Sequence, residues 1–549
     1  MALLAACWCL PAAATDFSLF DLLPHDLDHW LITIAFTLGV VIPLIVARLA
    51  AARARADANA NAYHAGLAIP SFQNGLTITG NYLSGASLLG ISAMIVTYGY
   101  DGLIYAIGFL AGWPIMTLFL AERLRNLGKF TLGDVLAYRL NATPSIRIFA
   151  ASGSLVVTLL YLAAQMVGVG QLFKLLFGFE YWMGVAIIGA MMMLYVRQGG
   201  ILDTAWLSIV KAVLLLTGAT VLALMSIQKF GFSLKTLFTP ASELLHVNAH
   251  GRDILAPGAL LSDPVSLISV SLALMCGLAC LPHVLMRFFT VPSTIEARKS
   301  AFWATAWSGY FYILSIVIGL GAIGFISSAP EYHAIWQTYR GGDNMVSLYL
   351  AHAVGGSIFM GVIAAVAFLT ILSVMGGLAQ AGSAAVSHDL YAIVHMKGKP
   401  EPEHERKASR LATLGLGVFA VLLGILAERV NMAILVAAAF SISASAHFPV
   451  LLLSMFWKRC TTRGALVGGY VGLLSALLLT MLSHPIWVRM LHFQNAPFPY
   501  ASPALFSMSA AFLGIWLFSI TDKSASSAKE RADFEALQIR AETGVGGLN

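Results

Sequence analysis

Thirteen stretches of this chain run for about twenty residues on almost nothing but apolar side chains, the length that carries an α-helix across a bilayer's hydrocarbon core. They lie near 30–50, 72–98, 103–121, 148–172, 181–196, 203–226, 264–285, 301–326, 357–386, 408–426, 431–456, 464–483 and 502–520. Peptide groups inside a bilayer find no water, so each crossing must satisfy its own backbone as a helix. The fold class is therefore an all-α integral membrane protein. Composition agrees: 59% of residues are hydrophobic and 11% charged, with a mean hydropathy of +0.81, where soluble domains carry about 25% charge. The net charge of +6 does not indicate a nucleic-acid partner, because the basic residues are scattered among loops and not gathered on one face.

Those basic residues set an orientation. One set of loops holds Arg48, Arg53 and Arg55, the group from Arg123 to Arg147, Arg197, Arg287 with Arg298 and Lys299, Lys397 to Arg410, and Lys458 to Arg463. The alternate set holds only Lys174, Lys229, Lys235, Arg252, Arg340, Arg429 and Arg489. The positive-inside rule puts the first set in the cytoplasm, the N-terminus outside and the C-terminus inside. The opening MALLAACWCLPAAAT is signal-like but lacks a basic residue ahead of its apolar run, so cleavage stays open. Cys7, Cys9, Cys276, Cys280 and Cys460 do not form a disulfide framework, and Cys276 and Cys280 read as small core residues, with only His283 near them as a further metal ligand.

The stretch from Ser71 to Asp101 is not a simple anchor. Glycines at 75, 80, 85 and 90 punctuate it, and Thr79, Gly80, Asn81, Tyr82 and Ser84 put a polar knot at its middle. A helix broken there exposes carbonyls and N–H groups at mid-membrane, the parts a small-solute transporter uses. Span seven, LMCGLACLPHVLMRF, is interrupted in the same way by Gly277 and Pro282. Each broken span opens a group of five, two to six and seven to eleven; an odd number makes the second group enter from the opposite side, an inverted repeat with the site where the breaks meet. The chain then divides into an external N-terminus (1–29), a first span and loop (30–71), a transporter core (72–456), two added spans (457–521) and a polar tail (522–549). The outside connections near 227–263 and 327–356 read as solvated connectors, with a lid as the alternative and a short helix before span nine in the second.

Thr370 and Ser373 lie three apart on one face of span nine, where Gly376 and Gly377 allow close approach. Their oxygens suit a small alkali cation, or they bond back to carbonyls one turn earlier.

The stretches SFQNGLTITGNYLSGASLLGISA, GYDGLIYAIGFLAGWP, LPHVLMRFFTV, AAVSHDLYA and SMFWKRCTTRGALVGGYVG resemble the sodium:solute symporter family, and within it the bacterial cation/acetate symporters. In the last stretch Arg459, four positions, then Gly464 and Ala465 fit the family signature, with Tyr470 where an aliphatic or Trp is usual. The resemblance spans about residues 60–545. It implies a LeuT-like core of ten helices, a bacterial inner-membrane location, and a sodium site formed by the carbonyls of Gly80, Leu83 and Thr370 with the hydroxyl of Ser373. Two positions depart from the family pattern: Val374 stands where a second hydroxyl is usual, and Ser208 where the fifth core helix usually carries an acid.

Lys211 lies about 12 Å into span six, at 1.5 Å per residue, where a charge is costly and often functional. Either it supplies a titratable charge that couples transport to protons, or it snorkels inward or pairs with Asp203. The side chains placed near the solute are Asn81, Tyr82, Tyr161 and Gln165, the last two sharing a helix face. His283 and Arg287, one turn apart, are an inner-gate segment in the family reading or a basic anchor in the plain one. Asp134, Glu122 and Asp389 read as helix caps or partners of Arg123, Arg125 or Arg139.

The sequence reading is a secondary active symporter, not an enzyme. It imports acetate or related short monocarboxylates such as glycolate with a cation, sodium by family resemblance and the proton as alternative. No cofactor is implied, and the surrounding partner is the lipid bilayer. A transporter-like sensor of a small carboxylate is the alternative from another class; no kinase module follows the last span, and the spans lack the convergent His, Asp and Glu of a membrane enzyme.

Overall fold

The computed structural model describes residues 29–60, 69–128, 130–140, 144–198, 201–233, 256–328, 344–399 and 401–544. The signal-like N-terminus with Cys7 and Cys9, and most of the two long connections, lie outside the described residues. Every regular element among those described is a helix. In chain order, α1 (His29–Ala60) precedes α2 (Ser71–Tyr82) and α3 (Ile91–Tyr98), which are joined through a π-helical turn. Then come α4 (Tyr100–Ala111), continued in further helical turns to Leu127, α5 (Leu132–Arg139), α6 (Pro144–Phe177), α7 (Tyr181–Gln198) and α8 (Ile201–Lys229). The second group is α9 (Pro264–Leu278) with α10 (Pro282–Leu285), α11 (Thr294–Ser328), α12 (Val346–Ala384), α13 (Pro402–Leu426) and α14 (Met432–Phe456). Two further long helices, α15 (Thr462–Met481) and α16 (Ala504–Ile520), lead to the tail helices α17 (Ala525–Ala532) and α18 (Phe534–Thr543).

Ten of the described helices are long and apolar enough to cross a bilayer unaided. The other three expected crossings are the broken α2–α3 pair, the shorter α7, and α16, which meets the tail at a bend of 104°. The second long connection does contain a helical turn ahead of span nine: α12 begins at Val346 and kinks at Gly356, whose φ of 70° favours a residue without a Cβ.

The two groups of five form the inverted repeat. α2 packs against α8, and both pack on α12; in the second group α9 packs on α14, which also lies against α6. Two glycines set how closely these helices meet. A Cβ on Gly80 would lie 2.1 Å from the carbonyl oxygen of Ser208, and one on Gly277 would lie 2.3 Å from that of Phe440. Bare backbone at both positions lets α2 touch α8 and α9 touch α14. Away from this core, α1 exposes Trp30, Ile34, Leu38, Ile42 and Ile45, and α13 exposes Leu414, Val418 and Leu422, the rows that face lipid.

At the end of the bundle that carries the basic residues, Asp134 closes a capping box with Thr131 at the start of α5. Its carboxylate pairs with Arg147 at 2.9 Å, and Arg147 also reaches Asp389 at 2.8 Å. Glu122 faces Arg298 at 3.3 Å. Of the three acids only Asp134 acts as a cap, and the ion-pair partners differ from Arg123, Arg125 and Arg139: Arg147 of α6 reaches both Asp134 and Asp389, and Arg298 of α11 faces Glu122. Arg123 instead binds Glu542 of α18 at 3.0 Å and Arg139 donates to the carbonyls of Glu530 and Cys460. The tail is thus laid across this face.

Candidate functional site at the two helix breaks

α2 ends where Leu83 turns extended, with ψ 114°. Its last polar residues account for the break, because nearby side chains take over the released backbone groups. Ser84 N–H donates to Ser87 Oγ at 3.2 Å, Ala86 N–H to Ser84 Oγ at 3.2 Å, and Gly85 N–H to Gln165 Oε1 at 3.2 Å. The start of the second half-helix is therefore already capped by the chain. In span seven the break falls at Ala279 to Leu281, and Pro282, which has no N–H to lose, opens α10. The carbonyl of Gly277 accepts from Ser443 at 3.1 Å.

The freed carbonyls of the first break face α8. Lys211 is 1% exposed, and its ammonium donates to the carbonyl oxygens of both Gly80 and Leu83. It does not snorkel, and the side chain of Asp203 lies outside what is described. Ser208, one turn before Lys211, gathers Asn81 Oδ1 at 3.1 Å, Ser373 Oγ at 3.0 Å and the carbonyl of Thr204 at 2.7 Å. Thr370 bonds back to the carbonyl of Val366 at 2.7 Å. Of the four residues the family resemblance assigns to a sodium site, Gly80 and Leu83 are bonded to Lys211 and Ser373 to Ser208, while Thr370 bonds only within its own helix.

Asn81 and His283 both lie against Gly377. The His283 ring stands edge-on to Tyr161 with centroids 5.3 Å apart, and Tyr161 Oη reaches the carbonyl of Tyr82 at 3.4 Å. One turn along α6, Gln165 meets Gly85. Asn81, Tyr82, Tyr161 and Gln165 are thus brought to one place, and all are buried. Several polar atoms here have no hydrogen-bond partner: Asn81 Nδ2, Gln165 Nε2, both ring nitrogens of His283, and Trp113 Nε1, whose ring meets that of Tyr82 at 5.1 Å. Phe440 closes over the group, 5.1 Å from the Phe109 ring and 6.1 Å from that of Tyr161.

His283 and Arg287 are 1% and 4% exposed, so neither is a surface anchor. Arg287 donates to Thr204 Oγ1 at 3.2 Å and its carbonyl accepts from Asn74. Sequence reasoning passed over Trp113, which sits in the stretch GWP without a periodic signal, and Asp101. Asp101 is buried and accepts from Gly258, Leu260 and Leu261 N–H at 3.1, 2.6 and 2.8 Å, tying a loop to the start of α4. Among the described residues the one His and carboxylate cluster with metal-ligand spacing is Asp134, His388 and Asp389. Arg147 already supplies its positive charge.

The architecture has solved counterparts. A Na+-coupled sialic acid symporter, captured substrate-bound and outward-open, superposes with a TM-score of 0.67 at 16% identity, covering 90% of this chain and 98% of that one. A nucleobase-cation-symport-1 family transporter in a closed conformation gives 0.50 at 12% identity over 86% of this chain and 97% of that one. At these identities the likeness is one of fold, and that fold is the LeuT-like inverted repeat. Residues 62–472, well over half the sequence, match the sodium:solute symporter family. The chain is a multi-pass membrane protein that belongs to that family, whose members move a solute together with a coupling cation.

Proposed function

We propose that this protein is a secondary active symporter importing acetate and related short monocarboxylates, such as glycolate, by alternating access around the two broken helices. The observation that carries the reading is the set of unpartnered donors at the breaks. Asn81 Nδ2, Gln165 Nε2 and the ring of His283 are buried polar groups whose desolvation no hydrogen bond among the described residues offsets. A carboxylate accepting from two or three of them repairs that deficit. The charge balance supports an anion: His283 faces both Arg287 and Lys211, and Lys211 is held by neutral carbonyls. The walls support a short one, since Tyr82, Trp113, Phe109, Phe440 and Tyr161 pack ring to ring around the donors. A dicarboxylate would place its second charge among those rings.

In this scheme the carboxylate is oriented by Asn81, Gln165 and His283, and the aromatic rings exclude water from it. Rocking of the first helices of each repeat about the breaks then exposes the site to either side in turn. The inward cation gradient supplies the work, and no bond is made or broken.

Uptake of labelled acetate into proteoliposomes tests the proposal, with sodium and pH gradients imposed separately and acid leak through empty liposomes subtracted. Protein-dependent accumulation of unmodified acetate, competed by glycolate and propionate, is the expected result. Absence of protein-dependent uptake under either gradient removes the monocarboxylate reading.

A further inference from the structure

We infer that Lys211 is the resident cation of the cage between α2 and α12, so that this cage takes no sodium ion. The inference rests on the chain being a symporter of this fold but not on which solute it carries.

The geometry supports it from three sides. First, the two carbonyls that the helix break frees, those of Gly80 and Leu83, both accept from the Lys211 ammonium. A sodium ion would need these same oxygens, and the Lys211 side chain already fills the place between them. Second, the hydroxyl of Ser373 is 3.0 Å from that of Ser208, and Ser208 also engages Asn81 and Thr204. The oxygen that would turn to an ion is thus part of a closed side-chain network. Third, among the described residues no carboxylate is present to draw a second cation in. Ser208 occupies the position where the family resemblance expects an acid, Val374 the position of a second hydroxyl, and no described carboxylate acts on Lys211.

The placement of Lys211 follows from its helix. It lies three residues beyond Ser208, so both project from the face of α8 that meets α2. Gly80, bare at the point where Ser208 passes, brings that face close enough for the ammonium to reach the unwound carbonyls. In a sodium-bound site the ion joins the break to its neighbouring helix only while it is bound. Here a side chain makes that connection permanently, from α8, and sodium is not required to assemble the site.

Direct binding of radiolabelled sodium to the purified full-length protein, by scintillation proximity, tests this without any solute. Failure of the acetate proposal would leave the readout untouched. Wild-type protein is expected to show no saturable sodium binding, and its unfolding midpoint is expected to be the same in sodium as in choline. Lys211→Ala, which vacates the two carbonyls, is expected to gain saturable binding and to be stabilised by sodium. Saturable binding by the wild type that Ser373→Ala abolishes would overturn the inference. Should Lys211→Ala fail to fold, the wild-type and Ser373→Ala measurements decide the matter alone.

Discussion

The backbone of Gly80 on α2 meets that of Ser208 on α8 so closely that a methyl group at residue 80 would stand 2.1 Å from the Ser208 carbonyl oxygen. That oxygen belongs to helix backbone and cannot swing aside, so Gly80→Ala must push the two helices apart. Overpacking of this kind costs about 1–3 kcal/mol, and here it also draws Gly80 away from the Lys211 ammonium. We expect a lowered unfolding midpoint and loss of most solute uptake. A Gly80→Ala protein with wild-type midpoint and uptake would show that the two helices do not meet as described.

Gln165 has two separable tasks. Its oxygen accepts from Gly85 N–H at the break, and its amide nitrogen is one of the donors proposed to hold the solute carboxylate. Gln165→Ala orphans a buried N–H, a loss of about 1–3 kcal/mol. Gln165→Glu keeps an acceptor oxygen but removes the donor and adds negative charge. The glutamate variant should therefore be more stable than the alanine variant yet show a KM for acetate raised at least about tenfold, one lost hydrogen bond to a charged group being worth about 1.5–3 kcal/mol. An unchanged KM would remove Gln165 from the solute site.

The carboxylate of Asp101 gathers three backbone N–H groups from the loop ahead of α9. Asp101→Ala leaves them to compete for other acceptors and should lower stability by about 3 kcal/mol. Asp101→Asn should fall between wild type and alanine, since its amide keeps one good acceptor. Thermal unfolding in detergent distinguishes the three. An alanine variant as stable as wild type would mean the loop is held by other contacts.

Acid sensitivity should trace to Asp134. Burial pushes its carboxyl up, but the hydrogen bond from His388, the charges of His388 and Arg147, and the N–H of Phe130 together hold it well below the usual carboxylate range. A group depressed on folding contributes fully above its unfolded pKa, about 3.9, and loses that contribution as pH falls through the lower folded value. The share of stability that Asp134 owes to its own ionisation therefore declines only below about pH 4. The share carried by protonated His388, whose pKa that same hydrogen bond raises, is lost as pH rises through the folded pKa of His388. Asp134→Asn should lose about 3 kcal/mol at neutral pH, as expected for breaking a buried pair, and should show a shallower fall on acidification. The unfolding midpoint measured against pH for both proteins checks the sign.

Much of the architecture was legible before any coordinates, and for local reasons. Apolar runs of bilayer length leave the backbone no solution except helix, so the crossings followed from side-chain chemistry alone. The glycines and polar residues from Thr79 to Gly85, and Gly277 with Pro282, marked the breaks because such residues are costly in a helix interior and favoured near helix ends. Tyr161 and Gln165 could be placed on one helix face from their spacing alone, but that they meet Tyr82 and Gly85 came from the packing of α6 on the break.

What the sequence determined on its own is the set of helices, the positions where two of them break, and the presence of one costly lysine in span six. Which groups those breaks and that lysine meet was decided by tertiary packing. Whether Lys211 reached the lipid surface, Asp203 or the carbonyls of Gly80 and Leu83 depended on how α8 crosses α2, and Arg147 displaced the nearer arginines as partner of Asp134 because α6 passes beside α5. A side chain's identity sets what it can bind, while its partner is chosen by how helices cross, whether 131 residues apart as for Lys211 and Gly80 or 13 as for Arg147 and Asp134, and that crossing is not written in any local pattern.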